Sequence, residues 1–243
     1  MREEYQFDTN GIETKTSADC PPNLLEKILN CDFTEEQVLQ DKRKSFVSVI
    51  RIEGIDYVFK RNRFWTRKNE TKLFGLNHKD ASSFYQFKKM SYFYEHGVPT
   101  PKVFLAIEKK SFGIRSLSIL IQKYEEPIGI ISKNDLSDFP EAYAIIQKIH
   151  SLNHLHGDPG RRNFLKTKDG LKVIDYRAPK NWIGEIGTAF ELLKLADRWK
   201  VDYPSNKGLG YYIACPYYKT KRYINDIWDD MRGVSKKKEE KEE

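Results

Sequence analysis

The run His156-Gly157-Asp158-Pro159-Gly160-Arg161-Arg162-Asn163, followed by Leu171-Lys172-Val173-Ile174-Asp175, concentrates the chemistry-bearing side chains of the sequence. Asp158 and Asp175 carry carboxylates and Asn163 carries an amide oxygen. Such hard oxygen donors suit Mg²⁺, which takes few protein ligands and fills its shell with water and phosphate. The carboxylate left over could orient and deprotonate a hydroxyl. Bringing the three together needs a helix end, a tight loop and a hairpin turning at Lys168-Asp169-Gly170. The apolar strand from Leu171 to Ile174 then ends on Asp175.

Asp158 stands five places before Asn163, His156 two places before Asp158, and Asp175 twelve places after Asn163. In this order and spacing they resemble the catalytic loop and metal-binding Asp of protein-kinase-like phosphotransferases. The HGD opening, in place of HRD, resembles the small-molecule and sugar-kinase branch. Within it the chain is most similar to the lipopolysaccharide core heptose kinases, with Kdo kinases as near relatives. The resemblance implies an α+β, two-lobed protein-kinase-like fold, with a small antiparallel-sheet lobe carrying one helix and a mainly helical large lobe. It also implies ATP and Mg²⁺: Asp158 would accept or orient the hydroxyl proton, and Asn163 and Asp175 would hold the metal. Lys60, ending Tyr57-Val58-Phe59-Lys60 on the expected third strand, would bind the α- and β-phosphates. Relatives often place a basic residue two positions after the catalytic Asp, where this chain has Gly160. Arg161 and Arg162 are then candidates for the missing charge, or braces of the loop.

Several positions depart from the family pattern. The turn Asp41-Lys42-Arg43-Lys44-Ser45 has no glycine, so backbone donors and cations around Lys44 and Ser45 would make the phosphate contacts. A mid-helix Glu usually pairs with the strand lysine. Gln86 stands there, an amide without charge, and Glu70 or another acid could serve instead. Gln122, Lys123 and Tyr124 resemble the hinge that meets the adenine edge, with Ile121 guarding the rear of that pocket. After Asp175 the chain reads Tyr176-Arg177 rather than Phe-Gly, which implies a metal site fixed in one state and no switching activation loop.

The elements that would position these residues read as follows. Residues 1–32 form a polar extension with a short helix after Pro21-Pro22. Residues 33–124 form the small ATP-binding lobe: strands at EEQVLQ, KSFVSVIRI and Ile55 to Lys60, a helix from about Asp80 to His96 capped by Ser82 or Asp80, then KVFLAIE and IRSLSILIQKY, five strands in all. Residues 125–233 form the large catalytic and substrate lobe. Its helices place Ala142, Ile145, Ile146, Ile149 and Leu152, then Ala189, Leu192, Leu193, Ala196 and Trp199, and last Ile224, Ile227, Trp228 and Met231 inward. Residues 234–243 are a disordered charged tail.

The net charge of +7 and pI near 9.1 favour acidic partners. A nucleotide, a phosphorylated or acidic glycan, or an anionic lipid surface would fit. No nucleic-acid signature is present, so nucleic acid is not an expected partner. Five histidines stand at no ligand spacing, which argues against zinc, and three cysteines read as reduced thiols. The N-terminus has no signal-peptide core and no apolar stretch spans a bilayer, so the expected location is cytoplasmic, peripheral at most on the inner face of the inner membrane. The resulting expectation is an ATP-dependent kinase acting on a sugar hydroxyl, a heptose of the lipopolysaccharide inner core first. The alternatives are a Kdo or other small-molecule kinase, an atypical Ser/Thr protein kinase, or a pseudokinase scaffold.

Overall fold

The computed structural model describes residues 11–42, 45–62, 82–111, 114–129, 131, 136–175 and 179–231. Lys44, Glu70, Tyr176, Arg177 and the tail at 234–243 lie outside these described residues. The chain divides into two compact units, one of Met1–Ile130 with Leu165–Ile174 and one of Ile131–Phe164 with Asp175–Glu243.

In the first unit an antiparallel sheet holds β1 (Ile12–Thr16), β2 (Thr34–Lys42), β3 (Ser45–Ile52), β4 (Ile55–Asn62), β5 (Val103–Ser111) and β6 (Ile114–Lys123), in the order β1-β5-β6-β4-β3-β2. The β3–β4 hairpin turns on Glu53 (φ 51°) and Gly54 (φ 80°). Two consecutive left-handed residues match the right-handed twist of the flanking strands. Tyr57, Phe59, Leu105, Ile107, Ile119 and Ile121 line one sheet face and pack with Leu24 and Ile28 of α1 (Leu24–Leu29). The expected five strands and polar extension are therefore corrected: β1 pairs with β5, and α1 supplies core side chains. Only Ile12 of β1 is partly buried, so this edge strand carries almost no alternation to read.

On the other face lies α2 (Ser83–Glu95). Ser82 is its cap, accepting from Tyr85 N at 3.2 Å, and Ser83 N donates to Ser118 Oγ at 3.0 Å. The buried Glu108 carboxylate of β5 sits at the same helix start, accepting from Ser82 Oγ (2.5 Å), Ser83 Oγ (3.2 Å) and Phe84 N (3.2 Å). A negative group there complements the exposed N–H groups and the helix dipole. Gly97 (φ 72°) ends the helix. A hairpin of β7 (Phe164–Thr167) and β8 (Gly170–Val173) joins the unit through Ile128 N to Lys166 O (3.0 Å) and Val173 N to Pro99 O (2.8 Å).

The second unit is helical: α3 (Phe139–Ser151), a 3-10 turn at Arg161–Asn163, α4 (Gly184–Trp199) and α5 (Leu209–Met231). Ala142, Ile145, Ile146 and Ile149 of α3 are buried, as are Ala189, Leu192, Leu195, Ala196 and Trp199 of α4. Trp199 meets Phe139 and Phe164 edge-on, with ring centroids 5.6 and 5.8 Å away. The last helix begins at Leu209, well before the stripe of Ile224 to Met231 that marks it in the sequence, and continues through Pro216. Ile224, Ile227 and Trp228 are exposed rather than inward. Gly210 lets α5 pass close to the head of α4, because a Cβ there would stand 2.6 Å from the Glu185 carbonyl oxygen. Among the described residues no helix is long and apolar enough to cross a membrane.

Candidate active site

The loop from His156 to Asn163 is held by one face of α4. Glu191, Lys194 and Arg198 recur at helical spacing along it and each reaches the loop. The buried Glu191 carboxylate accepts from His156 N (2.8 Å) and Gly157 N (2.5 Å), and from His150 Nε2 (2.9 Å). Burial by itself would raise this carboxyl, but the hydrogen bonds from His150 and Gly157 outweigh it and hold Glu191 below the ordinary carboxylate range. Lys194 Nζ donates to Gly157 O at 3.3 Å, and burial lowers its ammonium against the pull of Glu191. Arg198 Nη2 lies 2.8 Å from Asp158 Oδ1.

Within the loop, Asp158 N donates to His156 Nδ1 at 3.2 Å. Burial pushes the imidazole below its ordinary value, against the carboxylates of Glu191, Asp158 and Asp175. A neutral ring accepting at Nδ1 carries its proton on Nε2. His156 therefore braces the loop, and the charges of Asp158 and Asp175 both bear on it. Asn163 is buried and its Nδ2 donates to the Asp158 carbonyl at 2.7 Å. That bond fixes the amide with Oδ1 as its remaining lone-pair donor. Asp175 follows β8 in a left-handed conformation (φ 55°), a strained backbone for a residue with a side chain. The donor set is oxygen-only and fits Mg²⁺ better than a softer metal. Among the described residues no cluster of three or more His, Cys, Asp or Glu could hold a metal.

The two arginines of the loop differ. Arg161 Nη2 donates to the Trp199 carbonyl at 2.6 Å and its guanidinium packs over the Trp199 ring at 5.3 Å, so it braces the loop against α4. Arg162 is exposed, with Nη2 3.6 Å from Asp158 Oδ2.

In the first unit, Lys60 pairs with Val47 and Leu120 and so shares a sheet face with Ala106, Glu108 and Ser118, the face that carries α2. Gln86 lies in the first turn of α2, its N–H bonded to Ser82 O at 3.0 Å. Ser45 opens β3 opposite Lys42, and its hydroxyl accepts from Gln40 Nε2 at 2.5 Å. Ile121 belongs to the core on the opposite face, which corrects its expected place behind the adenine. Side chains alternate along a strand, so Gln122, paired with Val58, shares the face of Lys60 instead. The N–H groups of Lys123 and Tyr124 already donate to Lys102 O (2.8 Å) and Asp56 O (3.4 Å). Beyond them Glu125 meets Lys172 Nζ at 2.8 Å.

The α4 residues were not singled out in the sequence because no local motif marks them. Their one signal is three charged residues, Glu191, Lys194 and Arg198, at helical spacing within an otherwise apolar inward pattern.

Comparison with known proteins identifies the family. Residues 3–228 match the family described as lipopolysaccharide core biosynthesis protein (WaaY). The chain is 31% identical over 169 residues to the lipopolysaccharide core heptose(II) kinase WaaY of Escherichia coli, covering 63% of this chain and 67% of that one. It is 25% identical over 163 residues to the 3-deoxy-D-manno-octulosonic acid kinase of Actinobacillus succinogenes, covering 62% and 68%. The solved structure of WaaP in complex with acyl carrier protein aligns over 94% of this chain and 97% of that one, with a TM-score of 0.51 and 16% identity. At that identity the likeness is one of fold, and it fits the sheet-bearing and helical units to the α+β, protein-kinase-like class. The chain belongs to the lipopolysaccharide core biosynthesis protein (WaaY) family and is a kinase, a transferase of phosphoryl groups.

Proposed function

We propose that the chain transfers the γ-phosphoryl group of ATP to a hydroxyl of a heptose in the lipopolysaccharide inner core. The observation that carries this reading is the loop itself. Asp158 and Asn163 share one hydrogen-bonded loop clamped by Glu191, and Asp175 acts on the same buried histidine as Asp158. Family membership and a relative named as a heptose kinase support the acceptor.

In this reading the acceptor oxygen bonds to the γ-phosphorus as the bond from phosphorus to the β,γ-bridging oxygen breaks. The hydroxyl proton passes to Asp158, and ADP leaves with the bridging electron pair. Asn163 and Asp175 would hold Mg²⁺, which when bound would supply charge to the phosphate oxygens. Lys60 holds the α- and β-phosphates with Gln86 as its helix partner. Lys44 and Ser45 are, as the family resemblance implies, the candidates for phosphate contacts, and Gln122, Lys123 and Tyr124 those for the adenine edge. The net charge of +7 suits a phosphate- and carboxylate-rich glycan. The work is done in the cytoplasm, peripherally at the inner face of the inner membrane.

A second reading, a 3-deoxy-D-manno-octulosonic acid acceptor, is favoured by the relative of that name. Incubating dephosphorylated core oligosaccharide with enzyme and Mg-ATP, followed by fragmentation mass spectrometry, separates the two. One added phosphate on a heptose fragment supports the leading reading, and a phosphate confined to the octulosonic acid supports the second. No added phosphate on either sugar defeats both.

A further inference from the structure

We infer that Arg198, on the last turn of α4, supplies the positive charge that faces the transferring phosphoryl group, in the space that Gly160 leaves open. The inference rests on the phosphotransfer reading. Its guanidinium touches two points of the loop at once. Nη2 is 2.8 Å from Asp158 Oδ1, and a Cβ placed on Gly160 would stand 2.8 Å from Nη1 and 3.4 Å from Cδ. Gly160 is two residues past Asp158, so the arginine occupies the volume that a side chain at 160 would otherwise fill.

Of the neighbouring cations, Arg161 and Lys194 are engaged elsewhere, and Arg162 stands farther from the carboxylate than Arg198 does. Arg161 is spent on the Trp199 carbonyl and ring. Arg162 is 76% exposed and stands 3.6 Å from the carboxylate. Lys194 donates to the Gly157 carbonyl. Arg198 keeps 41% of its side chain exposed. A guanidinium has five N–H donors in a planar fork, so one engaged at Asp158 leaves others for phosphoryl oxygens. The fork then serves two ends of one reaction: it keeps the Asp158 carboxylate oriented toward the hydroxyl and meets charge on the equatorial oxygens as the phosphorus changes partners. Because Glu191 and Lys194 fasten the same helix face to the same loop, Arg198 is positioned by a rigid element rather than by its own flexible stem.

The test compares binding of ADP with Mg²⁺ to binding of ADP with Mg²⁺ and aluminium fluoride, a mimic of the transferring group, by calorimetry. Arg198→Met is expected to leave ADP affinity within about threefold and to weaken the fluoroaluminate complex by ~10²–10³, the range for losing one transition-state donor. Arg198→Lys recovers part of that loss, since charge returns without the fork. Gly160→Ala is the second variant: its methyl displaces the guanidinium without deleting it, and it is expected to lose fluoroaluminate affinity in the same sense. Wild-type preference for the fluoroaluminate complex retained in folded Arg198→Met, or retained in full by Gly160→Ala, overturns the inference and leaves phosphotransfer standing. Failure of the wild type to bind ADP with Mg²⁺ removes both.

Discussion

Replacing Glu191 by Gln tests whether α4 holds the His156 to Asn163 loop in place. The carboxylate accepts three hydrogen bonds, from His156 N, Gly157 N and His150 Nε2, at 2.8, 2.5 and 2.9 Å, and is 2% exposed. An amide keeps one acceptor oxygen and turns an NH₂ group toward a donor on the other side. One buried N–H then loses its partner, about 1–3 kcal/mol, and the surviving bonds fall from charge-assisted to neutral strength, roughly another 1 kcal/mol. The sum is roughly 2–4 kcal/mol, or on the order of 5–15 °C in melting temperature for a chain of this size. The loop carrying Asp158 loosens as well, so kcat should fall more than KM for ATP rises. Thermal unfolding followed by circular dichroism, with steady-state kinetics on the same preparation, reads both effects. A melting shift under about 2 °C together with unchanged kcat would refute the clamp.

Further outcomes follow from particular contacts. Glu191 has a folded pKa below its ordinary value of 4.5, so as pH falls below that value the unfolded chain takes up the proton first. Its stabilising contribution is complete above about pH 4.5 and is lost as pH drops through the lowered folded value; urea midpoints measured between about pH 6 and pH 3 should fall, with a shallower fall in Glu191→Gln. Ile28→Ala, at a fully buried α1 position in the sheet core, should cost about 2–5 kcal/mol in urea unfolding, whereas a dispensable N-terminal extension would show almost no change. Gly210→Ala places a Cβ 2.6 Å from the Glu185 carbonyl oxygen and should cost about 1–3 kcal/mol by pushing α5 off α4, read as a lowered melting temperature.

What could be read in the sequence was whatever local spacing encodes. The loop, the β7–β8 hairpin and β3 to β6 follow from turn residues and period-two alternation, and α2 and α3 from a cap and an apolar stripe. The losses occur where tertiary context decides. Ile121 and Gln122 differ by one place, but strand alternation puts them on opposite faces, and only the pairing of Val58 with Gln122 fixes which one shares the face of Lys60. β1 is a mostly exposed edge strand, so its pairing leaves no pattern. α5 runs through Gly210 and Pro216, and its crossing with α4 requires the glycine, where a Cβ would stand 2.6 Å from the Glu185 carbonyl oxygen. Glu191 and Arg198 act across more than thirty residues of sequence on His156, Gly157 and Asp158, a distance that no local motif spans.

The central claim is that the His156 to Asn163 loop is a phosphoryl-transfer centre with Asp158 as its base. The most direct measurement is Mg-ATP-dependent phosphorylation of core oligosaccharide by wild type and Asp158→Asn, with ATP affinity determined in parallel. Wild type should turn over, and Asp158→Asn should be slower by about 10²–10⁴ with ATP binding changed less than about threefold. A loss below about tenfold would take Asp158 out of the reaction and contradict the account.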